Sequence, residues 1–271
     1  MPTKSFSLNK LKPAILSTIA FASLCLASQG AIVFSYDQNV TNNIIFGTGV
    51  LNGGFTLARD ATSSLEIGLR ARQRLPQPLA VYNSNGAGNY TFPVGAATTG
   101  ASWIDSNTPA WNFEWSVNTN YLGTSGPSVG AYTYRLSLDS DPGVGTNFLI
   151  FDPIAGINPG TGSVLWGHSF GGNATTSAND STAATAASYT ILLGNQTLVQ
   201  NSWNYEFFDD AAPLSAFLPV AGQYTIQLEV LLSGVVIGSN SINVIMVPEP
   251  TILAMAGLLC IAGLGIRRRM R

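Results

Sequence analysis

Cysteine, histidine and lysine are almost missing from this chain, and each shortage excludes a class of chemistry. The two cysteines, Cys25 and Cys260, both fall in apolar terminal runs, so residues 31–246 have none. That body has no disulfide, no thiol nucleophile and no thiolate metal site, and burial alone must hold it together. With His168 as the single histidine, a multi-histidine metal site is ruled out. The string Gly167-His168-Ser169-Phe170-Gly171 has the letters G-x-S-x-G, but it falls in a stretch that reads as loop, without the strand-to-helix turn a nucleophile elbow requires for a serine triad. A lone imidazole beside Trp166 reads as a packing or surface residue before it reads as a base. All three lysines, Lys4, Lys10 and Lys12, precede the body. The net charge of −2 divides into +3 at the N-terminus, −8 in the body and +3 at the C-terminus. An acidic body whose one basic cluster is Arg70, Arg72 and Arg74 is a poor nucleic-acid ligand. Its glycine-rich stretch FGTGVLNGGFTL has no GKS or GKT, which excludes a phosphate loop and leaves turn-rich β structure.

What is present at the two ends concerns membranes. Lys4, Lys10 and Lys12 precede a thirteen-residue apolar run at 14–26, and Ser28-Gln29-Gly30 follows. This is the layout of a secretory signal peptide occupying 1–30, to be removed by signal peptidase. Cys25 lacks the small residue just before it that lipoprotein processing needs. At the other end, residues 247–271 read VPEP, then an uncharged run of sixteen residues at 251–266, then RRRMR. An apolar run stopped by arginines is the pattern of a membrane helix held on its cytoplasmic side. Sixteen residues reach about 24 Å, short of a hydrocarbon core of about 30 Å, which suits a temporary anchor. Pro248 and Pro250 donate no backbone hydrogen bond, so the VPEP peptide is expected to be extended and accessible.

That order of features resembles the PEP-CTERM sorting signal of Gram-negative bacteria. The resemblance implies Pro248, Glu249 and Pro250 as the recognition motif and Arg267, Arg268 and Arg269 as the cytoplasmic stop. It also implies an exosortase as processing partner, transient residence in the inner membrane, and export to the cell surface or beyond by an exopolysaccharide-producing cell. The segments WNFEWSVNT, YTYRLSLDSDPGVGTNFLIFDP and VQNSWNYEFF are similar to uncharacterised proteins of the same group, which brings no activity but favours one domain.

Within 31–246 the dominant period is two. Leu65, Ile67, Leu69 and Ala71 alternate with Glu66, Gly68, Arg70 and Arg72, which predicts a half-buried strand whose arginines face solvent. Trp111, Phe113, Trp115 and Val117 share one face of the next clear strand. Tyr132, Tyr134, Leu136 and Leu138 repeat the pattern, and the two are expected to pair antiparallel. Phe148 to Phe151 reads as a strand buried on both faces. Residues 152–188 read as loop with a short helix near 182–187, and Tyr189 to Leu193 as a strand. Trp203, Tyr205 and Phe207 alternate. A hairpin turning at Ser233-Gly234 ends the body, with Tyr224, Ile226, Leu228, Val230, Ile242, Val244 and Met246 inward. The expected class is all-β, an antiparallel β-sandwich of jelly-roll or immunoglobulin-like type.

Three sets of residues are candidates for chemistry. Asp139 and Asp141, with Asn147 and Asp152, offer hard oxygen ligands to calcium, although Val144 and Ile150 stand where an EF-hand has glycine and glutamate. A plain turn built by Asp and Gly explains the same residues. Glu114 and Glu206 are the acid pair a glycoside hydrolase would need. Trp103 and Trp166, in loop-like stretches, are the aromatics expected to be exposed for sugar contact, whereas Trp111, Phe113 and Trp115 are expected in the core. The expectation is thus a noncatalytic surface or matrix protein associated with exopolysaccharide; a secreted polysaccharide-active enzyme or a carbohydrate-binding module is the alternative.

Overall fold

The structure is a computed structural model, and it describes residues 30–41, 43–47, 49–74, 81–97, 105–157, 159 and 167–248. Eleven strands lie in these segments: β1 (Val33–Gln38), β2 (Phe55–Asp60), β3 (Leu65–Gln73), β4 (Asn89–Pro93), β5 (Trp111–Asn118), β6 (Thr133–Asp139), β7 (Phe148–Phe151), β8 (Ser169–Gly171), β9 (Leu198–Trp203), β10 (Gly222–Leu232) and β11 (Val235–Val247). They form two sheets, ordered β1-β2-β3-β5-β9-β8 and β4-β11-β10-β6-β7. All described strand pairs are antiparallel except β4 with β11, which run parallel. The described residues are therefore all-β in class, with one α-helix among them, α1 (Ala186–Asn195), and short 3-10 turns.

The alternating apolar residues meet between the sheets. Leu65, Ile67, Leu69 and Ala71 of β3 and Trp111, Phe113, Trp115 and Val117 of β5 share one buried cluster with Leu136 and Leu138 of β6. Tyr224, Ile226, Leu228 and Val230 of β10 and Ile242, Val244 and Met246 of β11 complete it. Aromatic edges organise the middle: Trp115 and Trp203 lie 5.4 Å apart, and Trp111 meets Tyr205 at 5.1 Å. The closing hairpin turns at Ser233 (φ 52) and Gly234 (φ 80), the left-handed pair that a two-residue hairpin turn demands.

Five expectations need correction. β5 and β6 do not pair: β5 lies between β3 and β9, and β6 between β10 and β7. Both strands carry a large apolar face, and stacking them in opposite sheets buries both faces against each other, which edge-to-edge pairing would not do. β7 is an edge strand with Ile150 54 % exposed, since nothing described pairs its outer side. The stretch at 189–193 is helical, within α1, because Thr185 and Ser188 form a reciprocal capping box that starts a helix at Ala186. Strand β9 ends at Trp203 because the Asn204 side chain accepts the Glu206 N–H and starts a 3-10 turn over Tyr205–Phe208. That turn buries Tyr205 and Phe208 and sends Phe207 outward.

The fifth correction concerns the arginine face of β3, which is buried. The described residues of 39–54 cross the outer face of the larger sheet and cover it, with Val40, Ile44 and Phe46 packing on Phe55 and Leu57. Gly68 makes room for this cover, since a Cβ there would stand 2.7 Å from a Val40 methyl.

Candidate functional site

Polar side chains on the covered face form a continuous layer that fastens the cover to the sheet. Thr41 donates its N–H to Glu66 Oε1 and its hydroxyl to Oε2, both at 2.7 Å, and Arg59 Nε donates to Oε2 at 2.7 Å. Gln200 accepts the Ile45 N–H at 2.8 Å and donates to the Asn43 carbonyl and to Ser116 Oγ. Arg70 Nη1 donates to the carbonyls of Leu51 and Gly53 at 3.0 and 2.5 Å, while its guanidinium lies 4.2 Å from the Phe55 ring centroid.

At the centre of the layer, Glu114 is fully buried between two arginines. Its Oε2 accepts Arg70 Nε at 2.6 Å, and its Oε1 accepts Arg72 Nε and, at 3.1 Å, Ser202 Oγ. Arg70 Nη2 sits 2.5 Å from Oε2 but off the direction of a hydrogen bond. Fixed distances and full burial make this triad a structural tie, and both oxygens of Glu114 are already engaged. Glu206, the other member of the acid pair, accepts Arg74 Nη1 at 2.7 Å. Each carboxylate has its own arginine partner, and Glu114 has no solvent contact through which a substrate could reach it.

The aspartates on either side of β7 are occupied in building its flanking turns. Asp139 Oδ1 accepts the N–H groups of Asp141 and Asn147 at 3.0 and 2.8 Å. Asp141 Oδ1 accepts the Gly143 N–H at 2.8 Å, and Asp152 caps Ile154, Ala155 and, through its other oxygen, Tyr134. These are the hydrogen bonds of side-chain-stabilised turns. Among the described residues no group of three or more His, Cys, Asp or Glu side chains is placed to hold a metal ion.

His168 is fully buried against Trp115, Phe170, Tyr189 and Trp203. Asn201 Nδ2 gives one hydrogen to the Gly167 carbonyl and the other to His168 Nδ1, both at 2.9 Å. Because that nitrogen then accepts, the network assigns the proton to Nε2. Burial pushes the imidazole from its ordinary value near 6.5 down to about 4, so the ring is neutral at physiological pH. Of the two readings of a lone histidine, packing is the one its position fits.

The remaining candidates divide by location. Trp111, Phe113 and Trp115 are fully buried, as the alternation predicts. Trp103 and Trp166 lie outside the described residues, as do Glu249, Pro250, Arg267, Arg268 and Arg269. Pro248 is described and exposed, directly after the last residue of β11. Among the described residues no helix is long and apolar enough to cross a membrane, and 251–266 lies beyond them. Sequence reasoning missed Phe207, which is 44 % exposed and has the Arg74 guanidinium 5.7 Å from its ring centroid. Two residues on, Asp209 accepts from Asn107 Nδ2 at 2.7 Å. The signal for it was Asn204, a cap residue that ends the alternation one position after Trp203. No protein-family model, no curated protein and no solved structure matches the chain.

Proposed function

We propose that the chain is an exported, noncatalytic cell-surface or extracellular-matrix protein, delivered by a PEP-CTERM route and associated with exopolysaccharide. The observation that carries the reading is the order of the last twenty-five residues: Val-Pro-Glu-Pro, sixteen uncharged residues, then Arg267-Arg268-Arg269. In this proposal signal peptidase removes 1–30, the arginines stay in the cytoplasm, the body folds outside the inner membrane, and an exosortase releases it near Pro248-Glu249-Pro250. A body without cysteine is compatible with folding there, because it makes no demand on disulfide formation. Support for the noncatalytic part comes from Glu114, whose two oxygens are held by Arg70, Arg72 and Ser202. For the finer fold class we favour a jelly-roll-like connection, since the chain changes sheets at β3–β4, β4–β5, β5–β6, β7–β8 and β9–β10.

The test is the intact mass of the exported protein. A mass lacking both the leader and the residues after the Pro-Glu-Pro region is expected, and detection of Arg267 to Arg271 in the mature form would overturn the route. A carbohydrate-binding role is favoured by the exposed Phe207 ring with the Arg74 guanidinium, itself paired with Glu206, against it. Phe207→Ala, and the loop variants Trp103→Ala and Trp166→Ala, should then elute early from a column bearing the producer's own polysaccharide. Equal retention of all three with wild type would end the sugar-contact reading.

A further inference from the structure

β11 stays paired with β4 to its last residue: Val247 is in register with Pro93, and Val94 donates its N–H to the Val247 carbonyl at 3.0 Å. Pro248 follows at once, and the apolar run starts at Thr251. The four steps from Val247 to Thr251 span at most about 14 Å of extended chain. The headgroup layer on one side of a bilayer is about 5–8 Å deep. With 251–266 in the membrane, the end of the sandwich that carries Val247 stands against the lipid surface, with no spacer to lift it away.

Three aliphatic side chains are exposed at that end. Leu218, Val220 and Val247 are 53 %, 45 % and 40 % exposed, and the strap that carries the first two is fastened beside the third. Gly95, the residue after Val94, donates to the Pro219 carbonyl at 2.8 Å. Tyr224 Oη bonds the carbonyls of Leu218 and Val220 at 3.3 and 3.2 Å, and Phe217 packs edge-on against the Tyr224 ring at 5.3 Å. The backbone is held, and Leu218 and Val220 are left outward.

We propose that this end of the sandwich is a lipid-contact surface, with Leu218, Val220 and Val247 resting in the headgroup region so that the rigid body holds Pro248-Glu249-Pro250 at a fixed height over the bilayer. The inference rests on the proposed reading of 251–266 as a membrane segment. The occupant is a lipid surface and not an anionic patch on it, because the body has no lysine and a net charge of −8, so apolar contact must supply the attraction without help from anionic headgroups.

The test uses the full chain, exported in a host that lacks a C-terminal processing enzyme, with Cys25→Ala and Cys260→Ala. A single labelling site is introduced by Leu218→Cys, or by Val235→Cys at the hairpin turn. Ten rises along β10, about 33 Å, separate those two ends. In phosphatidylcholine vesicles carrying a headgroup-level quencher, the Leu218→Cys probe should be quenched several-fold more than the Val235→Cys probe. A twelve-residue Gly/Ser insertion between Val247 and Pro248 should leave this preference in place if the patch itself binds lipid. Equal quenching at the two sites in a chain that resists alkaline extraction would overturn the contact and leave the anchor standing. Loss of the preference on inserting the spacer would also overturn it, since proximity alone would then explain the signal. Alkaline extraction of the intact chain would instead sink the anchor itself. Burial of the Leu218→Cys probe without vesicles, tracking protein concentration, would assign the patch to a second copy and reject the lipid.

Discussion

The two faces of β3 and β5 carry opposite chemistry and reach the same degree of burial. One face gives Leu65, Ile67, Leu69, Trp111, Phe113 and Trp115 to the core between the sheets. The other gives Glu66, Arg70, Arg72, Asn112, Glu114 and Ser116, and all of these are buried as well. On the inner face burial is favourable by itself, at about 25 cal/mol for each Å² removed from water. On the outer face burial of charge is costly, and it is tolerated because the layer is cross-bonded: carboxylate to guanidinium, guanidinium to carbonyl, amide to backbone. The inner face stabilises by area, whereas the outer one specifies where residues 39–54 lie. The same alternation that marks a solvated sheet surface also marks a covered polar layer.

The largest effect should come from orphaning the buried charges. Glu114→Ala leaves Arg70 and Arg72 without their counter-ion and should cost about 3–5 kcal/mol in denaturant unfolding. The triple change Arg70→Met, Arg72→Leu and Glu114→Met should be far milder than the single one. If the triple variant is the less stable, the layer contributes more than internal compensation. On the inner face, Trp115→Ala should cost about 3–5 kcal/mol by leaving a cavity, and a variant as stable as wild type would contradict the packing of Trp115 against Trp203 and His168.

A smaller effect distinguishes the faces by pH. The folded-state value of His168, about 4, lies below its ordinary 6.5, so the unfolded chain binds the proton first. The contribution of the neutral ring is complete above about pH 6.5 and is lost as pH falls towards 4. From pH 7.5 to 5, stability should fall by about 2 kcal/mol on this account, at 1.36 kcal/mol per pH unit. His168→Phe should flatten that part of the profile, and an unchanged slope would assign the acid sensitivity elsewhere. Smaller again is Gly68→Ala, which pushes a methyl into Val40 of the cover. A cost of about 1 kcal/mol is expected, at the low end for overpacking because Val40 can shift. It should be accompanied by faster amide exchange at Thr41 and Ile45, whose N–H groups bond the sheet. The smallest effect is none at all: reductant should leave the melting temperature of residues 31–246 unchanged, since they have no disulfide to lose.

Period-two alternation and the Ser233-Gly234 turn were enough to give the all-β class, the inward row of β5 and the closing hairpin, because each is a property of a single strand or of four adjacent residues. The absences are equally local: no body cysteine and one histidine bound the chemistry in any fold. Helix α1 was also written locally, in Thr185 and Ser188, but the apolar run Tyr189 to Leu193 read more strongly as a strand. Tertiary structure alone decided the rest. Which sheet β6 joins depends on a partner 94 residues away, Arg135 facing Glu229 across the β6–β10 pair. Whether Arg70 and Glu114 meet water depends on a segment that crosses them from residues 39–54. A sequence states what each side chain is, and alternation tells which side chains share a face. What lies over that face is set by long-range packing, and for this protein that packing turned an apparent surface into a second interior.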